Sequence, residues 1–344
     1  MKIVVIGATG NLGTALLRRL AQAPAATEVV GVARRIPDET EPYAGLRWHA
    51  LDVGDDTARR RLTSILQGAD AVVHLAWALQ PNHLEHLLWR TNVRGTAAVL
   101  GAAADAGVPH VLVASSVGAY SPGPKYRRVG EDWPTGGLPS SHYSRHKAIN
   151  ERALDDFEAA HPSTVVTRLR PGLVFQADAS SEIARLFAGP FAPRRLLGRL
   201  RLQIVPLPSQ LISQVVHADD VADAFWRAIE RGAGGAFNLA TEPVVSPDVL
   251  AAALGGKAVP VRAAVLRALM WASWKARVQP SDPGWLDIAT TVPLMSTERA
   301  RAVLGWAPTV SAPDALAELL GGLAVEQGNA GSPPLGEGGA RRAF

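Results

Sequence analysis

The chain has 344 residues, 47% hydrophobic and 19% charged, the composition of a globular protein long enough to bury a large core. It has no cysteine, which excludes disulfides, thiolate metal sites and a cysteine nucleophile. A net charge of +4 does not by itself point to an anionic partner, and there is no aromatic-basic stripe of the kind that binds nucleic acid.

In chain order, short β-branched runs alternate with helical patterns. Lys2–Ile6, Glu28–Ala33, Ala71–Leu75, His110–Ser115 and Val165–Leu169 are nearly continuous apolar runs, as buried parallel strands are, and a further strand is expected ahead of Asp52. Leu12–Ala23, Thr57–Leu66, Leu84–Ala106 and Tyr143–Ala160 carry helical periodicity between them. Repeated β-α-β units predict an α/β fold, a Rossmann-type doubly wound parallel sheet with a smaller, mainly helical substrate lobe. Residues 1–175 and 213–243 are assigned to the dinucleotide-binding domain, with Gln214–His217, Val221–Glu230 and Ala236–Leu239 as its last strand-helix-strand unit. Residues 176–212 and 244–326 are assigned to the lobe, and 327–344, rich in Gly, Pro and Ser, to a disordered tail.

Gly7-Ala8-Thr9-Gly10-Asn11-Leu12-Gly13 follows a strand and opens a helix, the context that gives a glycine motif its meaning. Its glycines allow a tight turn, close approach of backbone to a pyrophosphate, and close helix packing. The helix N-terminus offers free N–H groups to the phosphates. The second strand ends Gly31-Val32-Ala33-Arg34-Arg35 without a carboxylate to accept from a ribose 2′-OH. Arg34 and Arg35 can instead clamp a 2′-phosphate, so NADP is favoured, with NAD as the alternative. Asp52 is placed to meet the adenine amino group.

Tyr143 and Lys147, four apart at the start of a helix, share one helical face. An adjacent ammonium favours the phenolate, and such a tyrosine can exchange a proton with a carbonyl or alcohol oxygen. Ser116 lies at the carboxyl end of a strand, where open α/β sheets place ligands, and can orient that oxygen.

Together these residues resemble the extended short-chain dehydrogenase/reductase family, many of whose members are NAD-dependent epimerases or dehydratases. The resemblance spans roughly residues 1 to 320. It rests on the glycine loop, Asp52-Val53, His74-Leu75-Ala76, Asn92-Val93-x-Gly95-Thr96, Ser115-Ser116 with Tyr120, Tyr143-x-x-x-Lys147, Arg170-Pro171-Gly172, His217-x-x-Asp220-Val221-Ala222, and the closing Ala302-Val303-Leu304-Gly305-Trp306-x-Pro308. It implies that Tyr143 is the general acid/base, Ser116 its partner, and Lys147 a ligand of the nicotinamide ribose. It further implies that Leu75, Ala76 and Pro171 border the cofactor, that Asn92 anchors a loop, and that Asp220 caps a helix. A homodimer through the Leu84–Ala106 and Tyr143–Ala160 helices is likewise an expectation by analogy.

Two features depart from that family's nucleotide-sugar enzymes. The position four before His217 is Ser213 where many carry a diphosphate-binding arginine, although Arg185, Arg194 or Arg195 can substitute. Arg34-Arg35 also replaces the acidic NAD signature. The first reading is therefore an NAD(P)-dependent oxidoreductase acting on the carbonyl or alcohol of a small, apolar or weakly charged molecule, its lobe supplying Trp271, Trp274 and Trp285. The alternatives are a nucleotide-sugar epimerase or dehydratase with tightly held NAD, and a non-catalytic dinucleotide sensor. His83-x-x-His86 lacks further convergent ligands, so no metal is assigned. Arg194, Arg195, Arg199 and Arg201 read as a solvated loop face. The basic residues Arg262, Arg267, Lys275 and Arg277 interrupt the apolar run Val259–Val278, so no integral membrane segment is expected and a cytoplasmic location is. That run reads as a lobe helix rather than an interfacial one.

Overall fold

The computed structural model describes residues 1–80, 82–180, 182–183, 203–325 and 327–335. Arg185, Arg194, Arg195, Arg199 and Arg201 lie outside the described residues. The strands are β1 (Lys2–Ile6), β2 (Glu28–Ala33), β3 (Arg47–Ala50), β4 (Ala71–His74), β5 (His110–Ala114), β6 (Arg128–Val129), β7 (Val165–Pro171), β8 (Leu173–Phe175), β9 (Ile204–Leu207), β10 (Val215–His217), β11 (Gly235–Leu239), β12 (Lys257–Pro260) and β13 (Leu294–Met295). Seven of these form one sheet in the order β11-β7-β5-β4-β1-β2-β3, with every pairing parallel. The chain leaves β1 toward β2 and β3 on one side, then returns to β4 on the other. That reversal opens a crevice at the carboxyl ends of β1 and β4.

Side-chain alternation along β1 sorts the core into two layers. Ile3 and Val5 join Leu16, Leu17, Val73, Leu169 and Phe225 beneath helices α1 (Asn11–Leu20) and Ala218–Arg231. Val4 and Ile6 join Leu62, Val72, Val99, Val111 and Leu154 on the opposite face. The helices there are α2 (Ala58–Leu66), the Leu84–Ala106 segment, and the long helix His142–Ala160. Val4, Val5, Leu62 and Phe225 are wholly buried. At about 1.5–3 kcal/mol for each such side chain, this two-sided burial is what selects a parallel sheet covered on both faces.

The Leu84–Ala106 segment is helical at Glu85–Trp89 and Gly95–Asp105, joined by a π-helical turn over Arg90–Arg94. Within the turn, Asn92 exchanges two hydrogen bonds with the backbone of Ala78, at 2.7 and 2.8 Å, and pins the loop that follows β4. The cap of helix Ala218–Arg231 is His217, whose Nδ1 accepts from the Asp219 amide, so Asp220 does not have the capping role expected of it. Its carboxylate instead accepts from the Thr309 amide and hydroxyl and the Val310 amide, fastening the closing segment to this helix. Gln214–His217 does not extend the main sheet, because β10 pairs with β8 in a separate two-stranded sheet. Residues 327–335, expected within a disordered tail, lie against the glycine loop: Ser332 and Leu335 are buried, and the Ser332 hydroxyl donates to the Thr9 carbonyl at 2.7 Å. No described helix is long and apolar enough to cross a membrane.

Candidate active site

β1 ends directly in the glycine loop. Gly7 has φ +86°, and a Cβ there would stand 2.5 Å from the Ala76 amide nitrogen, so only glycine lets the β1 and β4 loops meet. Helix α1 begins at Asn11 with no side-chain cap and no acidic residue in its first turn. Its free N–H groups and positive end are thus available to an anion.

Two cavities share the crevice. The first, of about 130 Å³, is lined by Gly7, Thr9, Gly10, Arg34, Asp52, Val53, Leu75, Ala76 and Trp77 among others. The second, of about 270 Å³, takes in Gly7, Gly10, Asn11, Leu12, Gly13, Leu75, Trp77, Ser116, Tyr143, Lys147 and Pro171. Gly7, Gly10, Leu75 and Trp77 belong to both walls, so the glycine loop bridges the end lined by Arg34 and Asp52 and the end holding Tyr143. Every residue assigned from the sequence to catalysis or cofactor binding therefore borders the cleft except Arg35. Its guanidinium donates to the Pro333 carbonyl at 3.3 Å, while Arg34 is exposed at the rim. Asp52 accepts from the Gly54 amide at 2.9 Å and from Arg90 at 3.2 Å. Asn11 is held at the base of α1 by Gln176, whose amide donates to its side-chain and backbone oxygens at 2.6 and 2.8 Å.

At the other end, Ser141 caps the helix His142–Ala160 by accepting from the Ser144 amide, which sets Tyr143 in its first turn facing the cleft. Ser116 accepts from the Gly118 amide at 3.0 Å and lines the same cavity as Tyr143. A Cβ on Gly118 would come 2.8 Å from Cε1 of Tyr143, so the ring packs against this turn only because residue 118 is a glycine. Burial pushes the Tyr143 phenol up to about 12, opposed by the neighbouring Ser116 hydroxyl. Burial pushes the Lys147 ammonium down to about 7, opposed by the charge of Glu151. Lys147 donates to the Ala114 carbonyl at 2.8 Å, and its charge sits over the Trp77 ring. For both groups burial is the dominant influence in the nucleotide-free chain.

Trp77 and Trp285 enclose the Tyr143 ring, with centroids 5.5 and 4.8 Å away. Trp77 follows the His74-Leu75-Ala76 element, and nothing in its spacing marked it. Of the three lobe tryptophans, Trp285 alone lines the large cavity; Trp271 is exposed and Trp274 stacks on His83. The Ser213 backbone is bridged to Val245. Among the described residues no cluster of His, Asp and Glu can hold a metal.

These residues fit a dinucleotide. The uncapped helix end suits its phosphates, and the buried Trp77 Nε1, in the wall shared by both cavities, has no hydrogen-bond partner among the described residues. Residues 3–240 match the family model "NAD dependent epimerase/dehydratase family". The chain belongs to this family. It is 29% identical over 318 residues to an uncharacterized protein of Mycobacterium tuberculosis, covering 92% of this chain but only 29% of that longer protein. It is 25% identical over 174 residues to human sterol-4-alpha-carboxylate 3-dehydrogenase, decarboxylating, covering 51% of this chain and 44% of the relative. The fold is similar to that of UDP-glucose 4-epimerase from Thermotoga maritima, solved with UDP-glucose. The TM-score is 0.70 at 18% identity, over 95% of this chain and 99% of that one.

Proposed function

We propose that the protein moves a hydride between a nicotinamide dinucleotide and the carbonyl or alcohol carbon of a small apolar molecule, with Tyr143 as general acid/base. One observation carries this reading. Ser116, Tyr143 and Lys147 share a cavity with the glycine loop, and the rest of its wall is mostly aliphatic and aromatic: Leu79, Val117, Leu173, Phe175, Trp285 and Ile288. As far as the described residues form it, such a wall rewards apolar surface and offers little to a sugar diphosphate.

A bound dinucleotide supplies the hydride in reduction and accepts it in oxidation. Gly7, Thr9, Gly10, Asn11, Leu12 and Gly13 hold its pyrophosphate side, Asp52 and Val53 its adenine, and Leu75, Ala76, Lys147 and Pro171 its nicotinamide side. Ser116 donates to the substrate oxygen and orients it. In reduction, the Tyr143 O–H gives its proton to that oxygen as the carbon gains its new C–H bond, and solvent later reprotonates the phenolate. Arg34 at the rim supports NADP over NAD, since a free guanidinium suits a 2′-phosphate. Residues 176–212 and 244–326 would form the substrate lobe. A cytoplasmic location and a homodimer belong to the same proposal.

Purified protein should oxidise NADPH with a panel of apolar ketones and release NADP. Tyr143→Phe should lower turnover about 100- to 10,000-fold while nucleotide binding persists. Stoichiometric NAD retained through purification, with no net oxidation or reduction of any ketone or alcohol, would overturn the reading in favour of an internally recycling enzyme.

A further inference from the structure

Lys125 lies in the loop before β6, outside the cofactor cleft. Its ammonium donates to the Ile212 carbonyl at 2.7 Å and to the Ala289 carbonyl at 3.0 Å. These are neutral acceptors, and no carboxylate among the described residues pairs with it. By contrast Lys147, Arg168 and Arg170, the buried cations among the described residues, all face Glu151. Two bonds leave the third N–H of Lys125 uncommitted.

The side chain lines a pocket of about 50 Å³ whose other walls include Ile212, Val292, Pro293 and Leu294, and in which Lys125 is the only titratable lining residue among the described residues. Val117, Leu173, Trp285 and Ile288 line both this pocket and the large cavity holding Tyr143, so the two spaces adjoin. An ammonium partly withdrawn from water beside a mostly apolar wall costs stability unless an anion joins it. A single ammonium in so small a space suits a carboxylate, which needs few donors, better than a phosphate.

We propose that Lys125 recognises a carboxylate carried at the end of an apolar substrate remote from the reacting carbon, the hydrocarbon lying against Leu173, Trp285 and Ile288. The preferred substrates are therefore apolar oxo or hydroxy acids rather than neutral ketones. The assignment rests on the reading that the Tyr143 cavity holds substrate.

Calorimetric titration with octanoate and octanamide, ligands of one size that differ in charge, tests it without any turnover. The wild-type protein should bind octanoate about tenfold or more tightly than octanamide, the scale of one charge-assisted hydrogen bond. Lys125→Met should abolish that preference and Tyr143→Phe should keep it. Equal affinity for the two ligands in the wild type, or a preference that survives Lys125→Met, would overturn the proposal. Should Lys125→Met not fold, the pH series of the wild type decides. Burial lowers the ammonium to about 8, so the octanoate preference should be constant below pH 8 and fall toward tenfold per unit above it. A preference unchanged up to pH 10 would refute it. If octanoate binds as expected but no ketone is ever reduced, the hydride-transfer reading fails and the carboxylate site stands.

Discussion

The Lys147 ammonium lies 3.6 Å from the centre of the Trp77 indole ring, and that ring meets Tyr143 edge-on. A cation over an indole face is stabilised by about 2 kcal/mol when desolvated. Together with one carbonyl bond to Ala114, that falls short of what burial costs the charge. Trp77 thus divides the crevice, touching the acid at one edge and covering the cation with its face.

The strain on Lys147 should be visible as a pH dependence of folding. Its pKa is about 7 in the folded chain against an ordinary value of 10.5, so between these pH values the unfolded chain holds the proton that the folded chain has released. Stability then rises with pH across that window, by at most about 1.4 kcal/mol per unit, and is independent of this group below pH 7. Urea unfolding of nucleotide-free protein should show the rise from pH 7 to 9, and Lys147→Met should flatten it. Identical profiles for the two proteins would mean that Lys147 is not desolvated in solution.

Gly118 gives the second prediction. An alanine there would meet the Tyr143 ring at 2.8 Å and force it away from Ser116, leaving the glycine loop untouched. Misplacing a catalytic group by about 1 Å can cost about 100-fold. Gly118→Ala should therefore lower kcat by roughly that factor with little change in the KM for the dinucleotide. A parallel loss of nucleotide affinity would show that the damage spreads beyond Tyr143.

The main sheet was legible because its strands are buried on both faces and read as unbroken apolar runs, as Ile3-Val4-Val5-Ile6 does. The edge strand β3, Arg47–Ala50, has a polar pattern and was placed only by its position ahead of Asp52. The short pairs β8–β10, β9–β12 and β6–β13 span two to four residues each, too few for periodicity to show. Within the candidate site, Ser116, Tyr143 and Lys147 could be singled out from the sequence because spacing on one helix, or position at a strand end, fixes where a side chain goes. Trp77, Gly118 and Lys125 were missed for the opposite reason. Their roles depend on contacts between segments far apart in sequence, such as Lys125 with Ile212 and Ala289. The divergence of Arg34 from Arg35 arises in the same way, through Pro333.

That divergence makes cofactor choice a test of one arginine. Arg34→Ala should raise the KM for NADPH about tenfold or more while leaving that for NADH nearly unchanged, because only the 2′-phosphate loses its partner. Arg35→Ala should discriminate much less, since its guanidinium is engaged with the Pro333 carbonyl. If Arg35→Ala is the stronger NADPH variant, the two arginines exchange roles when nucleotide binds.

The C-terminal segment supplies the last prediction. Residues 331–335 cross the outer face of the glycine loop. Ser332 donates to the Thr9 carbonyl, the Asp38 amide donates to the Gly331 carbonyl at 3.0 Å, and Pro334 borders the smaller cofactor cavity. Leu335 is fully buried, and Ser332 is 1% exposed. Truncating a buried leucine to alanine costs roughly 2–5 kcal/mol, and a buried hydrogen bond about 1 kcal/mol more. Leu335→Ala and a chain ending at residue 326 should both unfold at clearly lower urea concentration than the full chain, the truncation being the less stable. Both should keep kcat at saturating dinucleotide, because Tyr143 and Ser116 stand at the other end of the cleft. Unchanged unfolding midpoints would mean that this segment is not docked on the loop in solution, and the Ser332–Thr9 contact would have to be abandoned.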